Sequence, residues 1–135
     1  MNATSEDIIK ILEAYGESSG LGLDFAQNLF QGLEPSEPKN CVTVFDSPGF
    51  PDELILDGNT GYESPGINIR VRNTKYNTGM DIARNIKNVL HGYSGTVGDT
   101  LYTVITCVNG PALLDWDENR NARFIINFNV QRRPA

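Results

Sequence analysis

Ile67-Asn68-Ile69-Arg70-Val71-Arg72 alternates apolar and polar residues without a break, and Met80-Asp81-Ile82-Ala83-Arg84-Asn85-Ile86-Lys87-Asn88-Val89-Leu90 follows at helical spacing. A period of two belongs to a half-buried strand, so Ile67, Ile69 and Val71 face a core while Asn68, Arg70 and Arg72 face away. In the second stretch Ile82, Ile86, Val89 and Leu90 fall on one side of a helix, and Asp81, Arg84, Lys87 and Asn88 on the other. Thr78-Gly79-Met80-Asp81 has most of a capping box and is expected to open this helix; Gly92 is expected to stop it. A short link between such a strand and such a helix lays the helix on the apolar face of a sheet. The expected fold is α+β, a mainly antiparallel sheet with two helices packed on it, in a single domain spanning 1–135.

The flanking sequence extends the pattern. Ser5 to Tyr15 reads as the first helix, with Thr4 or Ser5 as its cap, Ile8, Ile11, Leu12 and Tyr15 on one side, and Gly16 at its end. Gly16 to Leu23 is expected to turn. Asn28 to Leu33 is a short strand candidate, broken by Pro35 and Pro38, and Cys41 to Asp46 alternates as a strand. Ser47 to Gly66 is rich in proline and glycine and is expected to be a long loop, with a short extended piece at Leu54 to Leu56. Gly95 to Gly98 reads as a turn. Leu101 to Val108, apolar on both faces, reads as a central buried strand ended by Pro111. Phe124, Ile126, Phe128 and Val130 alternate through a last strand after a polar hairpin turn at Asp117 to Asn121. Arg132 to Ala135 is expected to be a mobile basic tail.

The formal net charge is -6 and the sequence pI about 4.6. That balance argues against gripping DNA or anionic membranes through a general basic surface. No apolar run approaches the ~18 residues of a membrane span, and the polar, acidic beginning at Ser5, Glu6 and Asp7 does not read as a signal peptide. Cys41 and Cys107 sit inside apolar strand patterns without a CxxC neighbour, and are expected to be buried reduced thiols acting as small hydrophobes.

Chemistry-bearing patterns are sparse. The single histidine, His91, stands at a helix C-terminus, where the dipole accounts for it, with no nucleophile patterned beside it. Asp115, Asp117, Asn119 and Asn121 have the odd-position spacing of a calcium loop, but Arg120 replaces its glycine and Ile126 its bidentate glutamate, which leaves a solvated hairpin turn. No catalytic residue, metal site or cofactor is expected. Asn2-Ala3-Thr4 matches a glycosylation sequon without a secretion signal to give it meaning. Arg70 and Arg72 could meet phosphates or a neighbouring subunit's carboxylates, or could form the wet face of a sheet. Phe50, Leu54, Tyr62 and Trp116 lie in or beside loops, where large apolar side chains act as partner anchors or pack under the loop.

Three collinear stretches resemble the tail-terminator (minor capsid) proteins of long-tailed bacteriophages: Gly32-Leu33-Glu34-Pro35 through Cys41-Val42-Thr43-Val44-Phe45-Asp46; Pro65-Gly66 through Asn73 with Tyr76 and the helix to Leu90; and Val108-Asn109-Gly110-Pro111 through the acidic turn to Arg123–Arg133. The resemblance implies a structural virion protein made in the host cytoplasm and placed at the head-proximal end of the tail. It implies a hexameric ring that ends tube polymerisation, binds the major tail tube protein and the head-tail connector, and lets DNA through its lumen without specific binding. No membrane partner is implied. Another head-tail joining role, such as head closure or tail completion, and a small cytosolic ligand-binding domain stay open as alternatives.

Overall fold

In the computed structural model the alternating stretch forms the middle of β3, and the other elements arrange around it. The structure describes residues 1–19, 22–51 and 61–135, with the backbone alone at 16–19. The order is α1 (Thr4–Ser19), β1 (Leu29–Gln31), β2 (Cys41–Phe50), β3 (Ser64–Asn73), α2 (Tyr76–Leu90), β4 (Gly95–Val97), β5 (Thr100–Trp116) and β6 (Ala122–Pro134). The strands make one six-stranded sheet in the order β1-β2-β3-β6-β5-β4. It is mixed: β1 joins β2 in parallel, while the remaining pairings are antiparallel. The expectation of a mainly antiparallel sheet is corrected to that extent.

Across the ladders, Val71 lies beside Val42 and Phe124, and Ile69 beside Val44 and Ile126. These side chains form one buried cluster with Ile8 and Leu12 of α1 and with Ile86 and Leu90 of α2. Both helices therefore cover the same face. Burying each such side chain contributes about 1.5–3 kcal/mol.

Several boundaries differ from the expectation. α1 runs past Gly16 to Ser19, because glycine inside a helix costs only about 1 kcal/mol. α2 starts at Tyr76 rather than Thr78, after an Asx turn in which the Lys75 N–H donates to Asn73 Oδ1 at 2.9 Å. β2 continues through Pro48 and Gly49 to Phe50 by a register shift, and β3 begins at Ser64, so both ends of the expected loop are strand. The piece expected at Leu54 to Leu56 lies outside the described residues. Gly95–Val97 is a strand, joined to β5 through Gly98 at φ +58°.

β5 is not a central strand. Only three-residue β4 flanks it outwardly, and Val104, Thr106 and Val108 are exposed. Nor does Pro111 end it: the chain shifts register between Asn109 and Ala112 and continues to Trp116. Proline's missing N–H is tolerated at such a bulge. Gly110 makes the shift possible, with φ +92° and a site where a Cβ would lie 2.5 Å from the Ile125 carbonyl oxygen.

The basic tail is also ordered. Arg132 is buried; its Nε donates to Glu63 Oε2 at 3.0 Å and its Nη1 to the Asn2 carbonyl at 2.8 Å. Beside it the Tyr102 hydroxyl donates to the fully buried Asp7 carboxylate. The N-terminus of α1 is held a second time by Asp46, which accepts from Ser5 N–H at 3.0 Å and Ser5 Oγ at 2.7 Å. This cap comes from β2, so the helix and sheet are fixed together.

Burial, followed by the bond to Asp7, pushes the Tyr102 phenol well above its ordinary value. A raised folded pKa gives stability that is full below about pH 10 and lost as pH rises through the folded value. Tyr102→Phe is expected to cost about 1–3 kcal/mol at neutral pH and to flatten the alkaline fall, read from denaturant midpoints against pH. Gly79→Ala tests the α2 seat: helix propensity favours the change by about 1 kcal/mol, but the new Cβ would meet Phe124 Cε2 at 2.7 Å. Because that ring is fully buried, net destabilisation of about 1–2 kcal/mol is expected from thermal unfolding.

Candidate functional site

The sheet face turned away from the helices is built from the alternate residues of the same strands. Three rows cross it: Cys41, Arg72, Arg123 and Asp115; then Thr43, Arg70, Ile125 and Ala112; then Phe45, Asn68, Asn127 and Asn109.

The first row is closed by the chain itself. Arg72 is only 7% exposed, and its Nη2 donates to the carbonyls of Pro35 at 2.6 Å and Pro38 at 2.9 Å, while Nε donates to Lys39 at 3.1 Å. Glu34 serves two arginines: its Oε1 is 3.7 Å from Arg72 Nη1, and its Oε2 accepts from Arg123 Nη1 at 2.7 Å. Arg123 Nε also donates to Asp115 Oδ1 at 2.6 Å. These hydrogen bonds, with a smaller contribution from the Arg70 charge, hold the Asp115 carboxyl below the usual carboxylate range. The segment from Glu34 to Lys39 is thus fastened over one end of the face.

The second row is left open. The Arg70 guanidinium lies over the Phe45 ring, 5.0 Å from its centroid, a cation–π placement. Among the described residues no carboxylate forms a salt bridge with Arg70, and its buried Nε has no hydrogen-bond partner. Thr43 Oγ1 and Asn68 Oδ1 are buried without partners in the same patch. In the third row Asn68 Nδ2 donates to Asn127 Oδ1 at 2.8 Å, and Asn127 Nδ2 to Asn109 Oδ1 at 2.7 Å. Below these rows Phe50, 66% exposed, rims a shallow cavity with Val104, Thr106 and Gln131. A cation without a salt bridge, an amide ladder and an apolar rim are means of binding rather than of reaction.

Of the residues singled out in the sequence, the structure brings Phe50 and Arg70 to this face and places Arg72 inside the protein. Trp116 belongs to the helix side of the sheet, stacked on Tyr76 with centroids 6.2 Å apart. Tyr62 is half-buried beside the bridge between Glu63 and Arg132, and Leu54 lies outside the described residues. His91 Nδ1 accepts the Cys107 N–H at 3.0 Å; both cysteines are free thiols, but only Cys41 is buried, and the expectation of burial is corrected for Cys107, which is partly exposed on β5 beside the three-residue β4. Asp117 Oδ1 accepts the N–H groups of Asn119 and Asn121, so this carboxylate closes its own hairpin. Among the described residues no group of three acidic, histidine or cysteine side chains could hold a metal, and no helix is long and apolar enough to cross a membrane. Phe45, Asn68 and Asn127 were legible only as the outward side of alternating strands, and Asn109 only as part of the Gly-Pro break after Val108, because their meeting depends on register.

No curated protein matches the chain in sequence. In fold it is similar to a chain of a solved structure described as "Virion of native gene transfer agent (GTA) particle", with a TM-score of 0.69 at 12% identity over 96% of this chain and 94% of that one. The family model described as "Bacteriophage tail terminator protein" matches residues 10–133. The chain therefore belongs to the bacteriophage tail terminator family, a family of structural phage virion proteins.

Proposed function

We propose that this protein caps the tail tube at its head-proximal end, ends tube polymerisation and joins the tail to the head-tail connector. The observation that carries the reading is the family match over residues 10–133. The unpartnered polar sheet face is consistent with it. A terminator needs contacts with its own copies, with the tube and with the connector, and a small domain must present most of these as surface. In a closed ring, read here as six copies, heterologous contacts satisfy one another instead of running on as a filament. The formal charge of -6 suits a lumen through which DNA passes without being held.

The role asks for no catalytic group, and His91 has a structural task in accepting the Cys107 N–H. The expected outcome for His91→Ala is unchanged function in a complementation assay, with the protein still folded. The main test adds purified protein to polymerising tail tubes and images them by negative-stain electron microscopy. Tubes should stop growing and carry a ring at one end. Tubes that elongate unchecked, with the protein bound only to isolated heads or connectors, would move the assignment to head closure.

A further inference from the structure

Arg70 stands on a formed surface with no salt bridge among the described residues, and the acids at the closed end of the same face are bonded to other arginines. Asp115 is held by Arg123, and Glu34 by Arg123 and Arg72. Arg70 keeps a half-buried guanidinium, oriented by Phe45, whose Nε has no hydrogen-bond partner, beside the unpartnered Thr43 hydroxyl. Buried polar groups that lack partners within a chain call for one from outside it. Because the Phe45 ring already restrains the guanidinium, less side-chain freedom is lost when an anion binds.

We infer that Arg70 is the docking cation for a carboxylate of a neighbouring copy of this chain, an inference that rests on the ring proposed above. Charge complementarity selects the occupant. The chain carries 17 acidic against 11 basic residues, and Glu37 and Glu118 are exposed without an ion pair among the described residues. Glu37 stands in the proline segment and Glu118 at the β5–β6 hairpin, whereas Arg70 is mid-strand on β3. Acid and cation thus belong to different elements, and an acid of one copy meeting Arg70 of the next would make a heterologous contact. A phosphate of passing DNA is the weaker occupant, since one guanidinium in a chain of net charge -6 supplies little backbone attraction. The amide ladder beside Arg70 offers further hydrogen bonds that would fix the register of the incoming segment.

Sedimentation of the full chain, alone and with tail tubes, tests this with Arg70→Gln, Arg70→Lys and the double variant Glu37→Gln/Glu118→Gln. The expected result is assembly weakened about tenfold or more in Arg70→Gln and in the double variant, with partial recovery in Arg70→Lys. Added salt should weaken wild-type assembly more than that of Arg70→Gln. The double variant leaves the sheet untouched, so its result stands even where Arg70→Gln fails to fold. Unchanged assembly in either folded variant overturns the inference, as does loss of duplex-DNA binding with assembly intact. Wild-type protein that assembles neither alone nor on tubes contradicts the ring itself, and this inference falls with it.

Discussion

The Arg72 guanidinium determines which part of the polar face is open. Its hydrogen bonds to the Pro35, Pro38 and Lys39 carbonyls hold a segment with no regular structure of its own, and Glu34 in that segment links Arg72 to Arg123. Without Arg72 three carbonyls and a carboxylate would lose their shared partner, at the cost that attends breaking a buried charge network. With it, the sheet is covered at one end and stops being covered at Arg70. Two arginines spaced by one residue on one strand thereby acquire opposite tasks, one internal and one outward.

The helix face depends on a different kind of tie. Apolar packing alone would let α1 slide along the sheet, since dispersion is not directional. Asp46 and Tyr102 remove that freedom: one caps the helix from β2, and the other meets Asp7 from β5. Because Arg132 and Glu63 join the same region, the last strand and the segment leading into β3 are fixed with the helix. The polar face is therefore displayed on a layer tied to the helices, the condition under which a surface cation would serve the docking proposed for it.

How much of this was legible in the sequence follows from the range of each interaction. The alternation at Ile67–Arg72 and the stripe Ile82, Ile86 and Leu90 are local signals, and both became the elements they indicated. Non-local effects defeated the local reading elsewhere. Pro111 reads as a stop, yet the bulge at Gly110 lets β5 pass it. Arg132 reads as a loose basic end, yet Glu63 bonds it through both backbone and side chain. Of the candidate site, Arg70 and Phe50 could be picked as unusual residues on strands or loops. The Phe45 platform, the amide ladder and the internal use of Arg72 could not, because they depend on which strands neighbour β3 and in what register.

With Arg70 docking a neighbouring copy, the polar face around it, and not the helix face, is expected to be buried when copies of the chain assemble on the tube. Hydroxyl-radical footprinting of the free and tube-bound protein measures this residue by residue, with Phe45, Phe50 and Val104 as reporters on one face and Met80 and Ile82 on the other. Protection of Phe45, Phe50 and Val104 on binding is expected, with Met80 and Ile82 unchanged. Protection confined to Met80 and Ile82, with the polar face equally reactive in both states, would contradict it.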